Sequence, residues 1–358
     1  MENTKKTKNK SSKIVLISGV LFGFIFGICL SMNTNEINTI LFGIMLVTTG
    51  LLQVVIHELG HLFFGILAGY KFVAIGFCGI AIYRYPDGYK LKKMIIPGVS
   101  GYCQMKPNRS VEKTNVGLYL MGGVLANSIS ILISILLIIF TTVNGYILLL
   151  IVMNIVIGSL FIVLNWLPLK LGILNDGQQF KDTKNNKESR IILYKSMELT
   201  AEYIYGRMIS EILSPEELDT EESVQNINGF IYELMKVNGY YEKLDFNVAQ
   251  EKLERLEQES LPEMIKLEYS KEVFFVEIMK ENGDTDKIEN LHGELKRYLK
   301  ITKDQPSTQR VIYAYEILHK KDNKKANNAK KKFEQTLKGH PYLGAIKTEN
   351  ILIDYIEQ

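Results

Sequence analysis

Long apolar segments in the first half of the chain constrain its fold more than any other feature of the sequence. Each of four segments reaches or exceeds the ~20 residues that a helix needs to cross a ~30 Å hydrocarbon core, and they lie at 14–32, 37–70, 116–142 and 146–169. The first follows a basic stretch, as the core of a secretory signal does, but no A-x-A-like cleavage site follows it, so we interpret it as a retained span. The sequence therefore predicts a mainly α, polytopic membrane protein with four transmembrane helices.

The rest of the chain divides around these spans. Residues 1–13 form a basic N-terminal segment, residues 14–177 a membrane-embedded domain, and residues 178–358 a polar region with apolar residues at three- and four-residue spacing. That spacing predicts a soluble α-helical domain. Three stretches in it, each a small residue, a helix and a proline, look like a repeat of the tetratricopeptide type, and an unrelated helical bundle is the alternative.

The charge of the chain is divided between the two halves. Up to residue 177 there are 14 Lys+Arg against 6 Asp+Glu, a balance of +8, and the remaining 28 against 33 give −5, which together restore the net +3. Because the positive excess lies in the apolar half, a uniformly basic nucleic-acid binder is excluded. The basic residues cluster before the first span and in the connection 71–115, so the positive-inside rule places both termini in the cytosol.

Three ionisable residues fall together inside the second span, in the sequence VVIHELGHLFFG. Charged groups are costly in a membrane, so they need a functional reason. On a helix His57 and His61 lie one turn apart on the same face, where both imidazoles can hold one divalent metal. Glu58 beside them can take a proton from a water activated by that metal and return it to a leaving amine. This is the HExxH pattern of zinc hydrolases, and a chance match or a structural histidine pair is the alternative interpretation.

A catalytic zinc normally takes three protein ligands, so a third is expected near the same face of the membrane. Asp176, just after the fourth span, is the acidic residue in the right place, although Asn-Asp-Gly is also a common turn at the end of a helix. Asp87 competes with it, but the sequence Pro-Asp-Gly is already explained as a turn. The three cysteines have no paired spacing, which argues against a disulfide scaffold and against a four-cysteine zinc ribbon.

Four separated motifs follow one another along residues 53–177. They are HELGH at 57–61, a segment from Pro97 to Gly101-Tyr102, GGVLAN at 122–127, and NWLP at 165–168 followed by Asp176-Gly177. In order and content they resemble the site-2 protease family of intramembrane zinc metalloproteases. Val124 stands where the third motif of the family has proline, and seven residues separate Pro168 from Asp176, which is a longer gap than the family pattern suggests.

The resemblance implies an activity and a role for each matching residue. It implies a zinc endopeptidase in which His57, His61 and Asp176 hold the zinc, Glu58 is the general base and acid, and Asn127 and Asn165 support the site or hold the substrate backbone. The implied substrate is a transmembrane protein or peptide, such as a membrane-bound regulator, a signal-peptide remnant or a peptide precursor, cut within or near its transmembrane segment.

The connection between the second and third spans fits the same family. From Phe72 to Tyr85 it is apolar and interrupted by glycine, and it resumes after Pro86-Asp87-Gly88, which predicts a small membrane-associated β-hairpin within residues 71–115. The family places such a hairpin beside the active site, where a strand edge can pair with an extended substrate. An amphipathic cytosolic loop is the alternative.

Two hypotheses follow from the sequence. The first is a multi-pass zinc protease of the cell membrane, whose cytosolic tail (178–358) binds a protein or peptide partner and no nucleic acid. The second is a catalytically inactive membrane-anchored scaffold or transporter component that acts through its tail. The presence of Glu58 favours the first, because an inactive descendant is free to lose it. The Lys-, Asn- and Ile-rich composition is typical of an AT-rich bacterial genome.

Overall fold

The structure is a computed structural model that describes residues 39–93, 99–168, 170–171, 173–220, 227–256 and 261–358. Its contacts divide the chain into two compact units, one containing residues 1–77 and 100–186 and the other residues 78–99 and 187–358. The chain is mainly helical, with four antiparallel strands between the first two long helices. The predicted span at 14–32 lies outside the described residues.

Three long apolar helices form the first unit. They are α1 (Thr39–Leu67), α3 (Gly122–Phe140) and α4 (Gly145–Trp166), and each is long and apolar enough to cross a membrane. All three pack against one another, and much of the surface that they leave exposed is apolar, which suits contact with lipid tails. Of the four predicted spans, the structure therefore shows the second, third and fourth as helices of this kind.

The third predicted span, 116–142, is interrupted in the structure. A short helix α2 (Val116–Leu120) ends at Met121, and α3 begins only at Gly122. Glycines at the start of α3 let it come very close to α1, since a Cβ atom at Gly122 would lie 2.7 Å from the carbonyl oxygen of Gly60. Backbone contact of this kind between small residues is a usual way for membrane helices to pack.

The predicted hairpin around Pro86-Asp87-Gly88 is present, and a second antiparallel strand pair lies in the same connection. In the first unit β1 (Tyr70–Phe77) pairs antiparallel with β4 (Gly101–Pro107), from Tyr70 opposite Pro107 to Phe77 opposite Gly101. In the second unit β2 (Ile80–Tyr85) pairs with β3 (Gly88–Lys93) around the turn at Pro86-Asp87. The sequence from Phe72 to Tyr85 is not one strand because Cys78 (φ 49°) and Gly79 (φ 84°) adopt left-handed conformations that turn the chain.

After α4, two short strands β5 (Lys170–Leu171) and β6 (Ile173–Leu174) lead into α5 (Asp176–Lys184), which completes the first unit. The second unit then contains ten α-helices in the described part of the chain: α6 (Lys187–Ile204), α7 (Ile209–Ile212), α8 (Pro215–Asp219), α9 (Ile227–Glu242), α10 (Phe246–Arg255), α11 (Glu263–Met279), α12 (Thr285–Ile301), α13 (Pro306–Ala314), α14 (Asn323–Gly339) and α15 (Leu343–Ile356).

The helices of the second unit close on themselves. Neighbours along the chain pack in pairs, as in a helical repeat, but the last helix, α15, also packs against α6 and α9. The hydroxyl group of Tyr203 on α6 donates to Oγ1 of Thr348 on α15 at 3.2 Å, and a single buried core runs through the unit. In an open solenoid each repeat contacts only its neighbours, so the observed closure is that of a helical bundle, the alternative that the sequence left open.

The β2–β3 hairpin belongs to this second unit. Tyr83 and Tyr85 are buried on one face of β2, and the hydroxyl group of Tyr85 donates to the carbonyl oxygen of Pro341 at 2.7 Å. The hairpin is therefore fastened to the connection between α14 and α15, more than 250 residues later in the chain.

Candidate metal centre

The buried side of α1 carries the polar residues of the candidate site. Gln53, His57 and His61 follow one another at four-residue intervals and are all less than a tenth exposed, as is Glu58. The four-residue spacing places the first three in one row along the helix. This row lies against the end of α2 and the first turns of α3, so the two imidazoles are enclosed by protein instead of facing lipid.

Each imidazole is oriented by a hydrogen bond at Nδ1. His61 Nδ1 lies 2.9 Å from the backbone carbonyl oxygen of Tyr119, in the last turn of α2, where helix carbonyls have no partner within the helix. His57 Nδ1 lies 2.7 Å from Oδ1 of Asn127 on α3. Because both partners are acceptors, both Nδ1 atoms carry the hydrogen, and each imidazole in its neutral form then presents a lone pair at Nε2.

Asp176 joins the two histidines from the start of α5. Its Oδ2 lies 2.9 Å from Nε2 of His57 and 3.1 Å from Nε2 of His61, and the two Nε2 atoms are 3.2 Å apart. The preceding residue, Asn175, caps the helix, because its Oδ1 accepts from the backbone N–H of Gln178 at 3.0 Å. The Nδ2 atom of Asn175 donates to the carbonyl oxygens of Leu164 and Leu167, each at 2.6 Å, which ties the start of α5 to the end of α4.

These three atoms fit a bound cation. When both imidazoles are neutral and carry their hydrogen on Nδ1, two imidazole lone pairs and a carboxylate oxygen converge with no hydrogen between them. A divalent metal satisfies all three acceptors at once, whereas one proton bridges only two of them. For tetrahedral zinc with Zn–N distances of ~2.0–2.1 Å, two ligand atoms are separated by about 3.3 Å, close to the separations seen between the three atoms.

The acidity of Asp176 suits a metal ligand. Burial by itself would raise the pKa of this carboxyl group. Without a metal, attraction to His61 and the hydrogen bonds that the imidazoles donate when Nε2 carries a hydrogen outweigh burial and hold the pKa well below its usual range. The carboxylate therefore stays ionised. Nearby Cys103 behaves in the opposite way, because burial and the neighbouring Glu58 raise the pKa of its thiol, which stays neutral and is a poor ligand.

Glycines make room for the side chains of the candidate site. A Cβ atom at Gly123 would lie 2.5 Å from both Nδ1 and Nε2 of His57, and one at Gly101 would lie 2.8 Å from Oε1 of Glu58. A Cβ atom at Gly177, next to Asp176, would lie 2.7 Å from the carbonyl oxygen of Asn165. The glycines of the sequence motifs therefore have a steric role in the site.

The structure brings together most of the residues singled out in the sequence. His57, His61 and Asp176 form the one group in the described residues whose side chains are placed to hold a metal, and Glu58 is buried beside them. Asn127 contacts His57 directly, whereas Nδ2 of Asn165 donates to the carbonyl oxygen of Phe161 in its own helix at 3.0 Å. Asp87 lies in the β2–β3 turn, where its exposed carboxylate pairs with Lys90.

Four further residues of the site were not singled out in the sequence: Gln53, Tyr119, Asn154 and Asn175. Gln53 and Asn154 are amides within apolar helices, so the cost of polar groups in a membrane would have drawn attention to them. Asn175 had the signal of a cap immediately before the motif Asp-Gly. Tyr119 acts through its backbone carbonyl, for which the side-chain sequence gives no signal.

Comparisons of the chain with protein-family models, with curated proteins and with solved structures found no match.

Proposed function

We propose that this chain is an intramembrane zinc endopeptidase that cleaves a peptide bond within or near a transmembrane segment. The observation that carries the proposal is the convergence of three ligand atoms, which lie within 3.2 Å of one another. They are Nε2 of His57 and of His61, on a helix long and apolar enough to cross a membrane, and Oδ2 of Asp176 at the start of α5. Buried ionisable groups in such a helix are costly and are usually retained for function. His57, His61 and Asp176 would hold the zinc.

Bound zinc would supply Lewis-acid polarisation of the scissile carbonyl and increase the acidity of water. Glu58 is the candidate general base, since it follows His57 directly and its carboxylate is buried against Gly101 of β4. It takes a proton from the attacking water and delivers it to the leaving nitrogen, so the carboxylate is regenerated after each cycle.

The backbone of the substrate also needs partners. A peptide bond in a helix is shielded by its own hydrogen bonds, so the substrate must unwind locally before its carbonyl carbon can be attacked. β4 runs beside Glu58 and pairs with β1 on one side, and we assign it as the strand along which the unwound segment lies. We favour β4 over Asn165 in this role because the side-chain amide of Asn165 is already bonded to Phe161.

The experiment measures zinc content and cleavage in the full-length chain. The protein is purified and reconstituted in vesicles with a reporter that has one transmembrane segment. We expect His57→Ala and Asp176→Ala to lose both zinc and cleavage, and Glu58→Gln to retain zinc but lose cleavage. Glu112→Gln is the matched control, because Glu112 is an exposed carboxylate of the same unit.

Cleavage by Glu58→Gln at the wild-type rate would refute the proposed enzyme. A wild-type chain that binds no zinc and cuts no reporter would favour the membrane-anchored scaffold instead. Membrane proteomics that compares wild-type cells with Glu58→Gln cells identifies the substrate as an uncut precursor that accumulates in the variant.

A further inference from the structure

A line of amides, two buried and one half-buried, connects the candidate metal centre to the middle of the apolar helices. Asn127 contacts His57, and its Nδ2 atom donates to Oε1 of Gln53 at 2.5 Å. The Nε2 atom of Gln53 in turn donates to Oδ1 of Asn154 on α4 at 2.6 Å. Asn154 Nδ2 then reaches the hydroxyl oxygens of Ser130 and Ser134 on α3, at 3.0 and 2.9 Å. We call Asn127, Gln53 and Asn154 the amide relay.

The direction of every bond in the amide relay is fixed by two backbone carbonyls. Nδ2 of Asn127 also faces the backbone oxygen of Gln53 at 3.2 Å, and Nε2 of Gln53 also faces the backbone oxygen of Asn154 at 3.4 Å. A backbone carbonyl can only accept, so the side-chain atoms that face it must be the NH₂ groups. Each NH₂ group therefore donates to the next residue along the relay, and each side-chain oxygen accepts from the residue on the His57 side.

This polarity reaches the imidazole. With its NH₂ group committed to Gln53, Asn127 can offer only Oδ1 to Nδ1 of His57. Nδ1 therefore carries the hydrogen, and in the neutral ring Nε2 is left as a lone pair. If one amide flipped, it would set two donors or two acceptors face to face inside a nearly dry interior. Asn127 and Gln53 have no measurable exposure, so water has little access to repair such a mismatch.

We propose that the amide relay is a positioning device that holds His57 in the tautomer with a free Nε2 atom and so prepares it to bind metal. The proposal rests on the proposed function for its purpose, but the tautomer itself can be measured without metal or substrate. Partners that orient a metal-binding histidine are typically worth about 10- to 100-fold in metal affinity. We expect the effect to be largest for Asn127 and to decrease along the relay towards Asn154.

The test uses the full-length chain with ¹⁵N-labelled histidine. Nuclear magnetic resonance of the metal-free protein at mildly alkaline pH reports which ring nitrogen of His57 carries the hydrogen, and the signal is assigned by its loss in His57→Ala. Zinc affinity is measured in parallel by competition with a chelator. The variants are Asn127→Leu, Gln53→Met and Asn154→Leu, which keep the size of the side chain but remove its hydrogen bonds.

Two kinds of control separate positioning from packing. Ser128→Ala on α3 and Ser159→Ala on α4 remove hydroxyl groups that donate to carbonyls of their own helix, those of Val124 and Ile155, and both variants should match the wild type. Asn127→Asp keeps an acceptor towards His57, and in its protonated form it still donates to Gln53. It should therefore restore both the single tautomer and most of the zinc affinity lost in Asn127→Leu.

The expected result is a single Nδ1–H tautomer of His57 in the wild type and a mixture in Asn127→Leu, with zinc affinity lower by about 10- to 100-fold. Smaller shifts are expected in Gln53→Met and Asn154→Leu. If a leucine variant does not fold, the double variant Ser130→Ala/Ser134→Ala removes the end of the relay without altering an amide. An unchanged tautomer in Asn127→Leu, or Asn127→Asp as defective as Asn127→Leu, would overturn the proposal. A single tautomer in a wild type that binds no zinc would leave the relay standing and refute the proposed function instead.

Discussion

Single atoms decide how close the helices come to the histidines. Gly123 has no side chain, and its Cα faces the ring of His57 so closely that even a methyl group would overlap Nδ1 and Nε2. His57 cannot move aside without breaking its bond to Asn127 or leaving Asp176. The candidate site therefore depends on the small size of Gly123 as well as on the side chains that converge in it.

The first expected outcome concerns this contact. Gly123→Ala should reduce zinc affinity by at least about 10-fold, because the added Cβ atom displaces the His57 ring from its oriented position. The zinc content of the purified chain measures it. Gly43→Ala on α1 is the control, since a Cβ atom there has nothing within 4 Å. Equal zinc content in the two variants would contradict the tight packing seen around His57.

The second expected outcome concerns the pH dependence of stability at His340, between α14 and α15. Burial, helped by the charge of nearby Lys92, outweighs the hydrogen bond with the backbone of Tyr342 and lowers the pKa of His340 to about 4 from its ordinary 6.5. As pH falls from about 6.5 to about 4, the unfolded chain takes up a proton that the folded chain refuses, so the folded state loses stability in that window. Above about 6.5 both states are neutral at this residue and the effect disappears.

The variant His340→Gln removes this titration. We expect the melting temperature of the wild type to fall more steeply than that of His340→Gln between pH 7 and pH 5. Thermal unfolding of the full chain, followed by helical circular dichroism at both pH values, measures the difference. Parallel behaviour of the two proteins would mean that His340 titrates normally in the folded state.

Among the elements, α5 bears most directly on the site because Asp176 is its first residue. Where this helix begins is set by the Asn175 cap and by the bonds from Asn175 to the last carbonyls of α4. Seven residues separate Pro168, just after α4, from Asp176. In the structure, Asn175 anchors the end of this connection.

Two substitutions at Asn175 separate these contributions. Asn175→Asp retains an acceptor for the helix cap but loses the donors to Leu164 and Leu167, and Asn175→Ala loses both. Loss of a cap costs about 1 kcal/mol, so Asn175→Ala should be the less stable protein. If the donors to α4 hold Asp176 in place, zinc affinity falls in both variants, and wild-type affinity in Asn175→Asp would show that the cap alone suffices.

On the scale of the whole molecule, a buried cation links three helices of the second unit. Arg310 of α13 has no measurable exposure and lies between two carboxylates, 3.2 Å from Glu272 of α11 and 2.9 Å from Glu349 of α15. Its guanidinium group also stacks 3.9 Å from the ring centre of Phe275. The guanidinium group of one helix therefore pairs with carboxylates of two others.

Removing this charge should destabilise the second unit strongly. Breaking a buried ion pair typically costs about 3–5 kcal/mol, because it leaves a buried charge without a partner. We expect Arg310→Leu to lose stability in this range, and Arg310→Leu/Glu349→Gln to recover part of the loss. Denaturant unfolding of the full chain and of the Glu349→Gln single variant completes the cycle. Purely additive losses would mean that Arg310 and Glu349 do not interact.

How much of this could be predicted from the sequence depends on the range of the interaction. His57, Glu58 and His61 are neighbours on one helix, so local spacing was enough to place them together. Asp176 needed the order of the motifs as well, and the amide relay joins residues about a hundred positions apart. The closure of α15 onto α6 depends on how side chains pack across the whole unit, for which local periodicity contains no information.

The attachment of the β2–β3 hairpin to the tail has a consequence for how the chain can be divided. The chain passes between the two compact units at three points, after residues 77, 99 and 186. A single cut after residue 186, by a protease or a stop codon, would leave Tyr85 in the first fragment and Pro341 in the second, although the two are hydrogen-bonded. The protein is therefore not modular in the genetic sense. A shuffled or truncated gene would have to keep the hairpin and the tail together to preserve either.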